Sequence, residues 1–225
     1  MDFDELRERV QARGLMARGG FHPVPEDGVP QVADGSAART VVMLGGAGGS
    51  FWPTFLSSPE AEHPESPLDA WTRRVAGEMS YEFGAVALFP FGGPPYLPFQ
   101  RWARRAEPVH ASPLGLLIHP EYGLWHAYRA ALAFAEHIPL PERRAEASPC
   151  ERCADKPCLT ACPVSAFSSG GYDVPRCIGH INRAEGEACL EAACLARRAC
   201  PVGRDYAYGP DQARFHMSAF LRAHR

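Results

Sequence analysis

The eight cysteines are the residues of this chain whose type and spacing point most directly to chemistry. All of them lie between residues 150 and 200, and the first 149 residues contain none. They fall into two groups of four, and each group ends in a Cys-Pro pair: Cys150, Cys153, Cys158 and Cys162, then Cys177, Cys189, Cys194 and Cys200. A cubane iron–sulfur cluster needs four thiolates, one for each iron atom. The two groups therefore predict two [4Fe-4S] clusters.

The order of the cysteines also predicts which of them share a cluster. Three closely spaced cysteines can wrap one cubane, whereas the fourth ligand must come from elsewhere in the chain. In two-cluster ferredoxins this fourth ligand is the Cys-Pro cysteine of the opposite half. On this pattern, the first cluster binds Cys150, Cys153, Cys158 and Cys200, and the second binds Cys162, Cys177, Cys189 and Cys194.

Two other interpretations of the cysteines stay open at this point. The spacings of four and five residues are longer than the usual two or three, and spacings of two and four also suit zinc ligands. An even number of cysteines can also form disulfides in a secreted protein. The two Cys-Pro endings and the confinement of all eight residues to one segment favour iron–sulfur clusters over both.

Composition limits the class of protein. The 225 residues suit one medium domain or two small ones, and 46% of them are hydrophobic, as in folded globular proteins. The net charge of −3 gives no reason to expect nucleic acid as a partner. The start of the chain is charged, unlike a signal peptide, and no run of about 18 apolar residues predicts a membrane span. We expect a cytoplasmic protein with reduced thiols.

The first third of the chain predicts a helix, a loop and a buried strand. Phe3, Leu6 and Val10 have helical spacing, so residues 3–13 are predicted to form an amphipathic helix. Residues 19–38 have loop composition with room for one short strand, and residues 40–44 form an apolar, β-branched strand. A glycine-rich turn follows, which lacks both the dinucleotide and the P-loop pattern. Its glycines either contact a ligand or only form a tight turn: Gly45, Gly46, Gly48 and Gly49.

The next segment predicts alternating helices and strands. Apolar residues at helical spacing mark helices over 67–80 and 122–136, the latter from Leu124, Tyr128, Leu132 and Ala135. A further helix is predicted over 96–106, and strands over 84–89 and 114–118. This alternation predicts an α/β layer over residues 1–145. Prolines near residue 145 mark the start of a second domain, 146–225, with short helices over 163–167 and 174–182 and a C-terminal helix over 209–221.

Two stretches resemble known families. Residues 173–181, DVPRCIGHI, resemble the double-cluster domain of epoxyqueuosine reductase and reductive dehalogenases, in which an isolated cysteine such as Cys177 belongs to the second cluster. Residues 118–129, IHPEYGLWHAYR, are similar to the His-Pro-x-x-Gly-x-Trp-x-Ala-x-Arg segment of CblC-type cobalamin-processing proteins. The resemblance implies a nitroreductase-like α/β fold of the CblC type that binds cobalamin or a related large cofactor, followed by a small ferredoxin-like domain.

The same resemblance implies cofactor-binding roles for His119, Gly123, Trp125 and Arg129. For Arg129 the alternatives are contact with a cofactor or a thiol co-substrate such as glutathione, or a solvated helix face. His119 either lines the pocket or is satisfied by backbone, and Trp125 fits a core position better than a cofactor stack. His180, close to Cys177, can hydrogen-bond a cluster sulfur, although a surface position is the simpler interpretation.

Three functions fit these observations. The first is an oxidoreductase whose two [4Fe-4S] clusters relay electrons to a cobalamin-like or flavin-like cofactor in the α/β domain. The second is a non-enzymatic electron carrier whose α/β domain is a docking module. The third is a cobalamin chaperone with a redox function. The predicted partners are a redox protein or a small-molecule substrate, without nucleic acid or membrane.

Overall fold

The computed structural model describes residues 2–33, 35–168 and 170–224. The chain divides into two compact units, and the division is not a single cut in the sequence. The first unit comprises residues 1–108 and 127–145, and the second comprises 109–126 and 146–225. The sequence predicted a boundary near residue 145 alone. Residues 109–126 instead group with the cysteine-rich segment, because Leu114, Ile118 and Leu124 pack with Cys158 and Cys200.

Three helices of the first unit lie where the sequence predicted them. Helix α1 (Phe3–Gln11) is capped by Asp2, whose carboxylate accepts a hydrogen bond from the backbone N–H of Glu5. It buries Phe3, Leu6 and Val10. Helices α2 (Trp52–Leu56), α3 (Pro67–Phe83) and α4 (Phe99–Ala106) follow. Helix α3 ends at Gly84, whose φ of +63° suits glycine, and the helix predictions over 3–13, 67–80 and 96–106 are confirmed within a few residues.

A four-stranded sheet forms the centre of this unit. Its strands are β1 (Met16–Phe21), β2 (Thr40–Ala47), β3 (Val86–Leu88) and β6 (His126–Phe134), in the order β1-β2-β6-β3. Strand β1 pairs with β2, and β3 with β6, both in antiparallel orientation. One core cluster joins Met43 and Ala131 of the sheet to Trp102 of α4. The predicted mixture of helices and strands is confirmed.

The predicted helix over residues 122–136 is wrong, because this segment contains strand β6. Four of the nine residues of β6 are alanine, the residue with the highest helix propensity, which favoured the helical interpretation. Residues 130–134 are all buried, as expected for a strand with neighbours on both sides. Short apolar runs do not distinguish a buried strand from a helix, and pairing with β2 and β3 decides the outcome here.

The second unit consists of short elements joined by turns. Strands β4 (His110–Ala111) and β5 (Leu117–Ile118) pair with each other, so the predicted strand over 114–118 is reduced to its last two residues. Strands β7 (Phe167–Ser168) and β8 (Gly171–Tyr172) form a hairpin, which was not predicted. The predicted helix over 163–167 is wrong, because residues 163–166 form a turn and an irregular segment and residue 167 begins β7. The helices are α5 (Pro157–Thr160), α6 (Val174–Ile181), α7 (Glu187–Glu191), α8 (Leu195–Arg198) and α9 (Pro210–Arg222). Helices α6 and α9 confirm the predictions over 174–182 and 209–221.

Among the residues that the structure describes, no helix combines the length and the apolar character that crossing a bilayer requires.

Candidate metal centre

Four cysteines surround a small cavity in the second unit. Cys150 lies in a 3₁₀ turn, Cys153 in the loop after it, Cys158 on α5 and Cys200 two residues after α8. The remaining lining residues are mostly apolar: Pro113, Ile118, Pro149, Lys156, Pro157, Pro201 and Val202. The cavity thus gathers three cysteines that are close in sequence and one that is 42 residues beyond Cys158.

The other four cysteines surround a second, larger cavity. Cys177 lies on α6, Cys189 on α7, Cys194 at the start of α8 and Cys162 after α5. The cavity measures about 370 Å³, and its other lining residues include Leu116, Phe167, Tyr172, His180, Met217 and Phe220. The cysteines that line each cavity are therefore the four that the sequence assigned to one predicted cluster.

Two short helices explain why the groups interleave in sequence. Cys158 of the first group lies on α5, which ends two residues before Cys162 of the second, and α8 lies between Cys194 of the second and Cys200 of the first. The two helices pack against each other. At each helix, one nearby cysteine lines the first cavity and the other lines the second.

Burial sets the electrostatic character of both groups. In the first, burial raises the pKa of the Cys150, Cys158 and Cys200 thiols, and repulsion between thiolates of that group adds to the effect. In the second, burial raises the pKa of Cys177, Cys189 and Cys194. For each of these cysteines, the thiolates that raise its pKa belong to its own group. Thiols of this kind stay protonated until a metal cation displaces the proton.

Backbone N–H groups donate hydrogen bonds to several of these sulfur atoms. The N–H of Ala166 donates to the sulfur of Cys162 at 3.3 Å. The N–H groups of Arg197 and Ala196 lower the pKa of Cys194 in part, and that of Val202 does so for Cys200. Hydrogen bonds of this kind stabilise a thiolate that binds metal, and they are among the features that set the potential of an iron–sulfur cluster.

The cysteines of each cavity suit a cubane cluster, but the two cavities differ in volume. Each cavity presents four thiols and apolar walls, which is the donor set of a [4Fe-4S] cluster. The second cavity has ample room, whereas the first, about 20 Å³, holds little more than one water molecule and its walls must open for a cubane. Within the described ranges of the chain, no three His, Cys, Asp or Glu side chains are close enough together to hold a single metal ion.

The segment around His119 is held against the loop that follows Cys200. Gly123 has a φ of +57°, and a Cβ there would lie 2.0 Å from the carbonyl oxygen of Val202. Gly203 has a φ of +70°, and its Cβ would lie 2.3 Å from the backbone of Tyr122. Only glycine allows two backbones to approach this closely with these dihedral angles. The pair therefore fixes the loop that carries Cys200.

Replacing Gly123 by alanine should displace this loop. The methyl group would overlap the Val202 carbonyl and occupy a left-handed conformation, so we expect a loss of at least about 2 kcal/mol of unfolding free energy. We also expect less iron in the first group. Gly115→Ala is the matched control, because Gly115 has a φ of +73° and a Cβ placed on it would have no atom within 4 Å. Equal effects of the two substitutions would mean that the close approach is unimportant.

His119, Gly123 and Trp125, three of the predicted cofactor residues, lie in the second unit. The Nδ1 of His119 accepts hydrogen bonds from the backbone N–H groups of Glu121 and Tyr122 at 3.1 and 3.3 Å. Trp125 is buried with Tyr208 and Ala213, and the guanidinium of Arg197 lies 4.4 Å from its ring centroid. These contacts agree with the backbone-satisfied interpretation of His119 and the core interpretation of Trp125.

Arg129 lies on strand β6 in the first unit. It is not on a solvated helix face, because the segment is a strand and the side chain is 16% exposed. Its guanidinium forms an ion pair with Asp69 of α3 and lies 5.3 Å from the ring centroid of Phe91. Its Nε is 3.4 Å from the hydroxyl oxygen of Thr72. Arg129 thus ties the sheet to α3.

The predicted glycine loop also lies in the first unit, and two of its glycines belong to strand β2. A Cβ on Gly45 would lie 1.9 Å from the carbonyl oxygen of Ala127, and one on Gly46 would lie 2.5 Å from the ring of Phe51. Gly48 has a φ of +53° in the turn after the strand, and Gly49 is exposed. Close packing within the unit therefore requires glycine at residues 45 and 46.

Sequence reasoning missed Tyr172, which lines the second cavity beside Cys177. Its side chain partly lowers the pKa of the Cys177 thiol, against the effect of burial. The one signal in the sequence is its position five residues before Cys177, after two glycines that permit a tight turn.

Comparison with known proteins identifies the fold. No family model matches the chain, and no curated protein does. Epoxyqueuosine reductase from Streptococcus thermophilus is similar at 16% identity and a TM-score of 0.50, over 95% of this chain and 70% of that one. The B12-trafficking protein CblC of C. elegans is similar at 15% identity and a TM-score of 0.53, over 95% and 91%. The chain has the fold that these two proteins share.

The resemblance found in residues 118–129 and 173–181 is thereby confirmed at the level of the fold. A second epoxyqueuosine reductase, crystallised with an epoxyqueuosine-modified tRNA stem loop, is similar at 15% identity and a TM-score of 0.48, over 93% of this chain and 69% of that one. At these identities the likeness describes the course of the backbone, and it transfers no residue's role.

Proposed function

We propose that the chain is an iron–sulfur redox protein that binds two [4Fe-4S] clusters and relays single electrons to a cobalamin-like cofactor or a substrate in its first unit. The observation that carries the proposal is the gathering of eight buried or half-buried cysteines around two cavities, each with one cysteine from the other half of the sequence. Four thiols in an apolar cavity are the donor set of a cubane. The fold likeness to a B12-trafficking protein and to epoxyqueuosine reductase supports the cofactor part of the proposal.

The chain's own contribution is to bind, shield and tune. Bound clusters of this type take up and release one electron at a time. The apolar walls, which include Ile118 and Phe167, reduce the access of water to the sulfur atoms. The backbone N–H groups near Cys194 and Cys200 stabilise thiolates. Because burial raises the pKa of these thiols, cluster assembly at neutral pH must release protons, and a pH-stat can count them.

A second function is a two-cluster electron carrier that has no cofactor in its first unit. The observation in its favour is that Arg129 pairs with Asp69, while the positions beside Gly45 and Gly46 are filled by backbone or side-chain atoms of the same unit. These residues are thus engaged in packing. A third function, a cobalamin chaperone with a redox role, differs from the first in that it would release its cofactor to a partner and convert no other substrate.

An anaerobic titration with cob(II)alamin distinguishes these functions, with iron, acid-labile sulfide and zinc assayed on the same sample. The proposal predicts about eight iron atoms per chain, as two cubanes require, and negligible zinc. It also predicts saturable binding of one corrinoid per chain with a shift towards the base-off spectrum. Eight irons without corrinoid binding would favour the carrier, and zinc in place of iron would refute the cluster proposal. A tRNA stem loop belongs in the same titration, because the absence of a nucleic-acid partner stays a prediction.

A further inference from the structure

A buried ring nitrogen faces the second group of cysteines. His180 lies on α6 three residues after Cys177, a spacing that places both side chains on one face of the helix. Both line the cavity that Cys162, Cys189 and Cys194 also line. The Nε2 of His180 is inaccessible to solvent and has no hydrogen-bond partner among the described residues. An unsatisfied buried polar atom costs about 1–3 kcal/mol, so it calls for a partner.

A second donor enters the same cavity from the β7–β8 hairpin. The hairpin pairs Phe167 with Tyr172, and their rings stack at a centroid distance of 4.6 Å. The ring of Tyr172 also stacks with Phe220 of α9 at 6.2 Å. These contacts hold the Tyr172 ring at the cavity that Cys177 also lines. Tyr172 therefore brings a hydroxyl donor to the cavity of the second group.

The surroundings of His180 Nε2 identify the acceptor that is needed. The cavity walls are largely apolar. Besides His180, the polar lining side chains are Tyr172, Arg197 and His216, so the four cysteine sulfur atoms are the most numerous side-chain acceptors. A [4Fe-4S] cluster adds inorganic sulfides and negative charge in the same space. A neutral imidazole whose Nε2 carries the proton can donate to such a sulfur.

We propose that His180 Nε2–H and the Tyr172 hydroxyl donate hydrogen bonds to the sulfur atoms of the second cluster and raise its reduction potential. This inference rests on the proposed function, and it adds a role for two named side chains. Reduction places one more negative charge on the cluster, and a donor stabilises the more negative state more strongly. Removing a donor should therefore make that cluster harder to reduce and leave the first cluster unchanged.

The test is a redox titration of the full chain at one pH, followed by EPR, on the wild type and on His180→Leu, His180→Gln and Tyr172→Phe. The signal that survives in Cys200→Ala is assigned to the second cluster. We expect His180→Leu to lower the equilibrium constant for reduction of that cluster on the order of tenfold, about 59 mV for one electron. Tyr172→Phe should shift the same signal in the same direction. His180→Gln keeps an N–H near the Nε2 position, so its potential should stay close to that of the wild type.

Each outcome has a distinct meaning. His63→Leu, at an exposed histidine of the first unit, is the control for a general effect of losing a histidine. If the clusters are present and His180→Leu leaves the surviving signal where it was, the inference is wrong while the proposed function stands. If His180→Leu loses the second cluster, retention in His180→Gln would support the donor role, and loss in both would refute it. A wild type without iron and sulfide would overturn the proposed function together with the inference.

Discussion

Replacing Cys200 by alanine should remove one cluster and leave the other, so that iron falls from about eight to about four atoms per chain. Cys200 is 7% exposed and lines the first cavity with Cys150, Cys153 and Cys158. In the sequence, however, Cys200 follows Cys177, Cys189 and Cys194, and lies six residues after Cys194. A cubane that loses one of four thiolates loses the charge and the covalent link that hold one iron. Iron and sulfide analysis with EPR spin counting measures the result.

The mirror substitution tests the same arrangement from the other side. Cys177→Ala should also remove about four irons, but the EPR signal that persists should be the one that Cys200→Ala abolishes. If Cys200→Ala instead removes the cluster that depends on Cys177, the cysteines are grouped by sequence halves and the proposed assignment is wrong. A metal content of two zinc atoms in the wild type would contradict both predictions.

Replacing Glu107 by leucine should destabilise the chain by about 3–5 kcal/mol, because it leaves a buried charge without its partner. Arg18 on β1 is 1% exposed. Its Nε and Nη2 donate to the two carboxylate oxygens of Glu107 at 2.9 and 2.7 Å, and its Nη1 donates to the carbonyl oxygen of Gly46 at 2.8 Å. The hydroxyl of Tyr128 donates to the same carboxylate at 2.6 Å. At this chain length, such a loss lowers Tm by roughly 6–20 °C.

Thermal unfolding followed by tryptophan fluorescence measures this loss, since Trp52, Trp71 and Trp102 lie in the first unit. The control is Glu142→Leu, the same change at an exposed residue of that unit, which should alter Tm little. The double variant Arg18→Leu with Glu107→Leu should be more stable than Glu107→Leu alone, because no charge remains buried. If Glu107→Leu behaves like Glu142→Leu, the network contributes no net stability.

The sequence predicted the elements whose signal is local. The helical spacing of Phe3, Leu6 and Val10 predicted α1, and Asp211 and Pro210 in the first turn predicted α9. The grouping of the cysteines also followed from their order, because the two Cys-Pro pairs show how the halves interleave. Whether the groups hold iron stays a prediction.

The elements that depend on distant partners were not predictable in the same way. Strand β6 is alanine-rich and becomes a strand because β2 and β3 pair with it. The need for glycine at residue 45 depends on Ala127, and the need at residue 123 depends on Val202. Tyr172 lies at the cavity that Cys177 lines because the β7–β8 hairpin, which the sequence did not predict, places it there. In each case the structure depends on a contact with a distant part of the chain, which the periodicity of the local sequence cannot reveal.

The second unit is formed by two separate stretches of sequence, 109–126 and 146–225, so it cannot be cut out as one continuous fragment. Residues 109–126 supply Leu114 and Leu116 to the wall of the second cavity and Pro113 and Ile118 to that of the first. A fragment that begins at residue 146 would contain all eight cysteines and lack one side of both cavities. The cysteine-rich half is therefore not a transferable module in the manner of a free ferredoxin. During synthesis, residues 109–126 are made before strand β6, and they can complete the two cavities only after the cysteines have been made.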